Sequence, residues 1–299
     1  MEWAMIRSLT ARERKDASAA AIFLLPNLVG FLVFMVGPTI GSIAISFSSW
    51  SLLNAPTFAG LQNYSDLLKD SVFWQTLGNT AYYVFVKVPL NMFLSLLLAS
   101  FLNKEIHGRN ALRTIFFLPM VASSVSVALI WQPLLDPTSG MVNKLLSFIH
   151  LGPYPWILSP NWAMPSVIMV ATWKELGYFM VIFLAGLQGI SSTYYEAAEI
   201  DGANAVQSFW HITVPLISPT TFFVLITSII GSFQIFDLTT VLTNGGPANA
   251  TNTLVMYVYQ AGFKFFRMGY ASAVAYALFI IILAFTLIQN QLSKRWVHY

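Results

Sequence analysis

The chain has 299 residues, of which 57% are apolar and only 9% charged, against roughly a quarter charged in an ordinary soluble domain. So few charges cannot cover the surface of a soluble fold of this length. The formal net charge of +3 is too small, and its basic residues too scattered, to form a nucleic-acid surface. The absence of cysteine excludes disulfides and thiolate chemistry.

The amino-terminal segment carries Arg7, Arg12, Arg14 and Lys15, and no Asp, Glu, Lys or Arg then occurs from Ala17 to Ser65. That run exceeds the ~20 apolar residues needed to cross the hydrocarbon core. It also exceeds the apolar core of about 7–15 residues found in a cleaved signal, so it reads as a retained span. Apolar windows and their flanks predict six transmembrane helices, at about 19–47, 76–101, 111–133, 164–187, 214–238 and 271–290. The first has room for a tilt, a kink at Pro38 or an extra interfacial turn. The expected organisation is an all-α polytopic membrane protein with a tail at 1–18, one transmembrane domain at 19–290 and a tail at 291–299. The Pro- and Gly-rich segment 134–163 reads as a folded loop rather than a separate domain.

Orientation follows from the Lys and Arg residues, which favour the cytoplasmic side. With the amino terminus inside, nine flank the inner side: the four of the tail, Lys104, Arg109, Arg113, Lys294 and Arg295. Four lie outside: Lys69, Lys144, Lys264 and Arg267. Both termini are therefore expected in the cytoplasm. Trp50, Trp74, Trp131, Trp156 and Trp162 then gather near the outer interface, where an indole keeps its N–H wet.

The loop between the fourth and fifth spans departs from that bias. From Gln188 to Pro215 it has no Lys or Arg, yet it carries Glu196, Glu199 and Asp201. It reads as two short helices around a turn. Thr193 is placed to cap the first, with Glu196 completing a capping box. Asp201-Gly202 supplies the break, because Gly accepts the left-handed conformation that ends a helix. A second helix is expected from about Asn204 to Trp210, with Pro215 and Pro219 marking entry into the next span.

Glu196-Ala197-Ala198 is followed by Gly202 after three residues, Ile212 after nine more and Pro215 after another two. This spacing resembles the EAA motif of the membrane subunits of binding-protein-dependent ABC importers, with Val214 standing where that pattern favours Leu. LLPNLVGFLVFMVGPTIGSIAISF, RTIFFLPMVASSVSVALIWQPLLDPTSGMVN, FDLTTVLTNGGPANATNTLVMYVYQAGF and GYASAVAYALF are similar to the carbohydrate branch of these permeases. They look most like the first permease of sugar and glycerol-3-phosphate importers. The resemblance implies a type I importer permease fold in the cytoplasmic (inner) membrane. It also implies a second related permease, two cytoplasmic ATPase subunits that bind ATP and Mg, and an extracytoplasmic solute-binding protein. It assigns ATPase coupling to a helix-turn-helix at about 191–213, through Glu196, Ala197, Ala198, Asp201, Gly202, Ala203, Phe209, Ile212 and Pro215. No cofactor or metal is expected in this chain itself.

Lys87, Lys174, Glu175 and Asp237 fall within or at the edge of spans, where ionisable groups face the bundle interior or an aqueous cavity. Lys174 and Glu175 point about 100° apart on a helix, so one is free to line a pathway while the other pairs with a neighbour. The alternative is that these charges neutralise one another between helices without meeting solute. Gln234 and Asp237 lie near the outer end of the fifth window. Trp173, Tyr178 and Phe233 are aromatic candidates for a sugar face, or packing residues. Few cations lie in the spans, which favours a neutral polyhydroxylated solute, with glycerol-3-phosphate as the alternative.

Other classes fit less well. No His-Glu-x-x-His occurs, His107, His150, His211 and His298 lie in or near loops or the tail, and Gly189-Ile190-Ser191-Ser192 lies on a loop away from any buried base. The Gly-x4-Gly-Lys-Ser/Thr pattern of a phosphate-binding loop is absent, so this chain is not expected to hydrolyse ATP. A secondary transporter or channel has no need of an acidic EAA loop, and the two halves show no internal repeat of the kind such transporters often carry.

Overall fold

The computed structural model of the protein describes residues 11–297. Arg7, counted in the basic tail, and His298 lie outside the described residues, as does the tail before Ala11. The helix that carries the first span starts at Ala11, so residues 11–18 are already helical and continuous with it.

Four straight apolar helices and two bent ones account for the six predicted windows. The straight ones are the first span Ala19–Ser46, the second Ser71–Leu102, the fourth Pro160–Gln188 and the sixth Met268–Ser293. Two of them have an identifiable start signal. The second span begins where the Asp70 carboxylate accepts the Val72 N–H at 2.9 Å, which satisfies one orphan donor of the first turn. The fourth opens on Pro160, whose missing N–H costs nothing at that position. The first contains a π-helical turn at Leu32–Val36, just before Pro38, in which the Gly37 N–H reaches Leu32 O. Irregularity falls next to the proline because Pro38 has no N–H to continue the ladder.

The third window is not one straight helix. Arg109–Val121 and Ser124–Leu134 meet at 99°. Ala122 and Ser123 are both extended, and the Ser123 hydroxyl accepts the Ser126 N–H at 3.1 Å to start the second arm. The fifth is bent too: Ala205–Leu216 turns by 65° into Ser218–Phe233. Its helix ends at Phe233 rather than running to 238, and Asp237 opens a separate short helix, Asp237–Thr243.

The fourth span is the centre of the bundle. Of its most apolar window 56% is buried, whereas the corresponding window of the first span is 0% buried. It packs against the second span and against Arg109–Val121. At Gly177 the two helix backbones meet: a Cβ there would lie 2.0 Å from Phe116 O and 2.7 Å from Phe117 Cα. Small residues permit such approach where apolar burial gives little driving force in lipid. The first span touches the rest chiefly through Gly37–Ser46, which lies on the sixth. Two cores result, a larger one around Val84, Val167, Val170 and Val274, and a smaller one around Leu102, Met180, Phe183 and Ile217, next to the 189–216 loop.

The 134–163 segment folds on itself. Asn143 donates to Pro137 O and Tyr154 O at 3.0 and 2.9 Å, and accepts the Tyr154 N–H and the Trp156 indole N–H. One amide thus fixes both ends of the loop, with Tyr154, Trp156 and Trp162 stacked edge to face or tilted beside it.

Candidate coupling loop and solute cavity

The loop between the fourth and fifth spans contains two helices, Ser192–Ile200 and Ala205–Leu216. The first is capped by Ser191, whose hydroxyl accepts the Thr193 N–H at 3.4 Å. Thr193 therefore lies inside the helix, and Glu196 closes no capping box with it. The box forms at the second helix instead: Asn204 Oδ1 accepts the Gln207 N–H, and Gln207 Oε1 accepts the Asn204 N–H. Serine at 191 wins because the chain leaves Gly189 and Ile190 already turning, one residue pair before Thr193.

The turn is a Schellman ending. Ala203 N–H bonds to Ala198 O at 2.8 Å and Gly202 N–H to Glu199 O at 3.0 Å, and Gly202 has φ +78. Nothing lies within 4 Å of a Cβ built on Gly202. Its requirement is therefore conformational within this chain, not steric. Ala198 and Ala203, the two residues this motif brings together, are both half-buried, while Glu196, Ala197 and Asp201 are exposed. A cleft of about 310 Å³ opens between the limbs, lined by Ala198, Asp201, Gly202, Ala203, His211 and Ile212 among others. Phe209 and Trp210 line an apolar pocket together with Phe93, Leu96 and Leu97 of the second span. Pro215 sits just before the 65° bend, where its carbonyl accepts the Ser218 hydroxyl at 2.6 Å.

A second cavity, of about 170 Å³, lies within the bundle. It brings Lys174 and Glu175 together with Gln234 and Asp237, two pairs that the sequence leaves 59 residues apart at their nearest. Tyr83, Ser124 and Phe236 complete its polar and aromatic wall. The bends are what build it. Ending the fifth span at Phe233 lets Gln234 to Asp237 line it, and Ser124, next to the Ser123 break, lines it too.

The remaining candidates lie elsewhere. Lys87, 1% exposed, forms an ion pair with Glu175, which is 32% exposed. Its ammonium also donates to the Ser232 hydroxyl at 3.3 Å and stands 5.8 Å from the Phe179 ring centre. Lys87 is thus a neutralising partner between second, fourth and fifth spans, while Glu175 also borders the cavity. Phe233, 1% exposed, packs on Phe285. Tyr178 stacks on Phe179. Trp173, 44% exposed, meets Trp131 edge to face and lines an apolar groove with Tyr82 and Leu90. These three aromatics do not line the cavity. Tyr83 was not legible as a site residue: one helical turn before Lys87, it reads as ordinary packing until the fourth span is placed beside it.

At the end where the second span begins, Asp70 binds three elements. It caps the second span, and both Tyr257 and Tyr270 donate their hydroxyls to its Oδ2. Burial pushes its carboxyl up, but the two phenols and the Val72 and Phe73 N–H groups outweigh that and hold it below the usual range. Burial and the bond to Asp70 push the Tyr257 phenol up to about 12.

Among the described residues no group of three or more His, Asp or Glu is placed to hold a metal ion.

Residues 91–298 match the model of the binding-protein-dependent transport system inner membrane component family. The chain is 38% identical to the probable ABC transporter permease protein YesP of Bacillus subtilis, over 96% of this chain and 94% of that one. It is 36% identical to the arabinooligosaccharides transport system permease protein AraP of Bacillus subtilis, over 92% and 88%. Among solved structures, it superposes with a TM-score of 0.83 and 27% identity on a chain of a bacterial alginate ABC transporter in complex with alginate pentasaccharide-bound periplasmic protein, covering 95% of this chain and 96% of that one. The six-span bundle, its two bent members and these likenesses agree: the chain belongs to the inner membrane components of binding-protein-dependent transport systems, the multi-pass permease subunits of ABC transporters.

Proposed function

We propose that the chain forms half of the pathway of an ATP-driven importer for a sugar or related polyhydroxylated solute. A second, related permease supplies the other half, two ATPase subunits hydrolyse ATP, and a solute-binding protein delivers the cargo from outside. In this reading both termini and the 191–213 loop face the cytoplasm. Glu196 and Asp201 meet basic groups of an ATPase, and the small Ala197, Ala198 and Gly202 allow it close approach. The exposure of Glu196, Ala197 and Asp201 supports that role, since it leaves them open to a partner.

The observation that carries the solute class is the cavity of Lys174, Glu175, Gln234 and Asp237. It offers donors and acceptors beside Tyr83 and Phe236, as a hydroxyl-rich solute needs. Its charges balance, because Lys174 and Asp237 line one small space and Glu175 is already paired with Lys87. No surplus of positive charge is left for a phosphate, so an uncharged sugar is favoured over glycerol-3-phosphate. The alginate relative makes acidic oligosaccharides a necessary comparison. The deciding experiment is uptake by the reconstituted complex of labelled arabinooligosaccharides, lactose, uronate oligosaccharides and glycerol-3-phosphate. ATP-dependent uptake of a sugar, weakened by Gln234→Ala and Asp237→Asn, is the expected result. Uptake of the phosphate ester alone, or uptake driven by an ion gradient without ATP, overturns the reading.

A further inference from the structure

The two limbs of the 189–216 loop are joined covalently only through the turn at Asp201-Gly202. Ser192–Ile200 hangs from the fourth span, and Ala205–Leu216 runs into the fifth through the 65° bend. A force applied to the first limb alone would be absorbed at Gly202, where the chain is exposed and meets no neighbour. One side-chain bond crosses between the limbs, at 2.9 Å, from Tyr195 Oη to Thr213 Oγ1. Tyr195 is half-buried and Thr213 only 6% exposed, so water competes poorly for this bond.

The bond lands on an irregular point. Thr213 ends a π-helical turn, Phe209–Thr213, in which Val214 N–H reaches back to Phe209 O, and Pro215 follows with no N–H to offer. This is the stretch of the second limb whose backbone ladder is weakest, and π-turns of this kind mark functional positions in helices. Phe209, Val214 and Ile217 border an apolar pocket with Phe93, Leu96 and Leu97 of the second span, and Ile217 shares a buried core with Ala99 and Leu102 of that span.

We infer that Tyr195 and Thr213 form a clasp that makes the EAA helix and the head of the fifth span one rigid body, so that movement of the first is delivered to the second and fifth spans. They are positioning residues for coupling, and the inference rests on the reading of this loop as the element that docks on the ATPase. Tyr195 directly precedes Glu196, so the clasp holds the EAA helix at the start of its motif. Thr213 directly precedes Val214-Pro215, so it holds the other limb three residues before that limb ends at Leu216 and the chain bends.

The chain has no cysteine, which allows a readout independent of the solute. Gly231 lines the cavity and has open space for a side chain, so Gly231→Cys reports cavity access through its rate of maleimide labelling. In the assembled complex, ATP with vanadate is expected to change that rate. Tyr195→Phe and Thr213→Val each shrink the ATP-driven change about fivefold, the weight of one neutral hydrogen bond. Their combination is no worse than either alone, and Thr213→Ser, which keeps the hydroxyl, responds like the parent. Co-purification of the ATPase subunits verifies assembly; if Tyr195→Phe does not assemble, the contrast between Thr213→Val and Thr213→Ser decides. An undiminished response in Thr213→Val overturns the clasp. Gly202→Val separates the two ideas: if it alone abolishes the response, the clasp fails and the coupling reading stands. If it too responds normally, the coupling reading fails with it.

Discussion

Replacing Gly177 with alanine tests the contact on which the bundle is centred. The new methyl would lie 2.0 Å from Phe116 O, 2.4 Å from Phe116 C and 2.7 Å from Phe117 Cα. All three are backbone atoms of Arg109–Val121, so no rotamer change relieves the overlap. Ordinary contact requires the helix to withdraw by about 1 Å, and a gap of that size forfeits a quarter to half of the dispersion well along the interface. Together with overpacking this places the cost at about 3 kcal/mol, the upper end of the usual range. Gly78→Ala is the control: it lies in the second span with nothing within 4 Å of its Cβ. It is expected to be neutral or to stabilise by up to about 1 kcal/mol, since alanine restricts the unfolded chain. Thermal unfolding of the detergent-purified protein reads both, with Gly177→Ala melting several degrees lower than Gly78→Ala. Equal melting temperatures for the two variants would refute the close backbone contact.

Further outcomes follow from the ion pair, the turn and the Asp70 cluster. Lys87→Met leaves Glu175 without its partner and should cost about 3 kcal/mol, the lower end for a broken buried pair, because Glu175 is partly exposed. Adding Glu175→Gln should recover much of the loss, and thermal unfolding of single and double variants checks this; a double variant worse than the single contradicts it. Gly202→Val forces a β-branched residue to φ +78, at roughly 1–2 kcal/mol, and should abolish uptake while the permease remains in the membrane. Gly202→Asn, which tolerates that conformation, should retain more uptake, and immunoblots of membranes beside uptake assays distinguish the two. For Asp70 the folded pKa lies below the unfolded value, so its contribution is present above about pH 4 and is lost as pH falls through the lowered value. Tyr257 works in the opposite sense: its contribution is full below about pH 10 and is lost as pH rises through about 12. The cluster's contribution to the melting temperature should therefore be constant between those limits, and Asp70→Asn should flatten the acid limb; an unchanged acid limb in that variant argues against the cluster.

The Lys87–Glu175 pair shows how the bundle accommodates a buried charge. A lysine buried in a membrane bundle needs an anion, and Glu175 supplies it from the next helix but one. Lys174, one residue earlier, is turned about 100° away and lines the cavity that Glu175 also borders. Of two adjacent charges on one helix, both beside the cavity, one is thus held in an ion pair to a neighbouring span.

The amino-acid sequence by itself determined the crossings and the special loop. A window of some 20 apolar residues has no alternative to a helix that spans or packs within the membrane. The absence of charge from Ala17 to Ser65 is a property of composition, needing no partner. Gly202 as the turn was equally legible, since a left-handed residue at a helix end is a local requirement that the chain states in one letter. The break at Ala122-Ser123 was written less plainly: a hydropathy window sums composition and does not register two extended residues, although Ser123 and Ser126 form a capping signal. Only the tertiary structure decided which polar residues meet. Lys87 and Glu175 are 88 residues apart, and Tyr195 and Thr213 18 apart. No local rule pairs them, because helical spacing orders side chains on one helix and leaves the rotation of its neighbours free. That rotation was fixed by packing, at Gly177 and along the buried face of the fourth span. It brought Lys174, Glu175, Gln234 and Asp237 to one cavity and left Phe233, Trp173 and Tyr178 outside it.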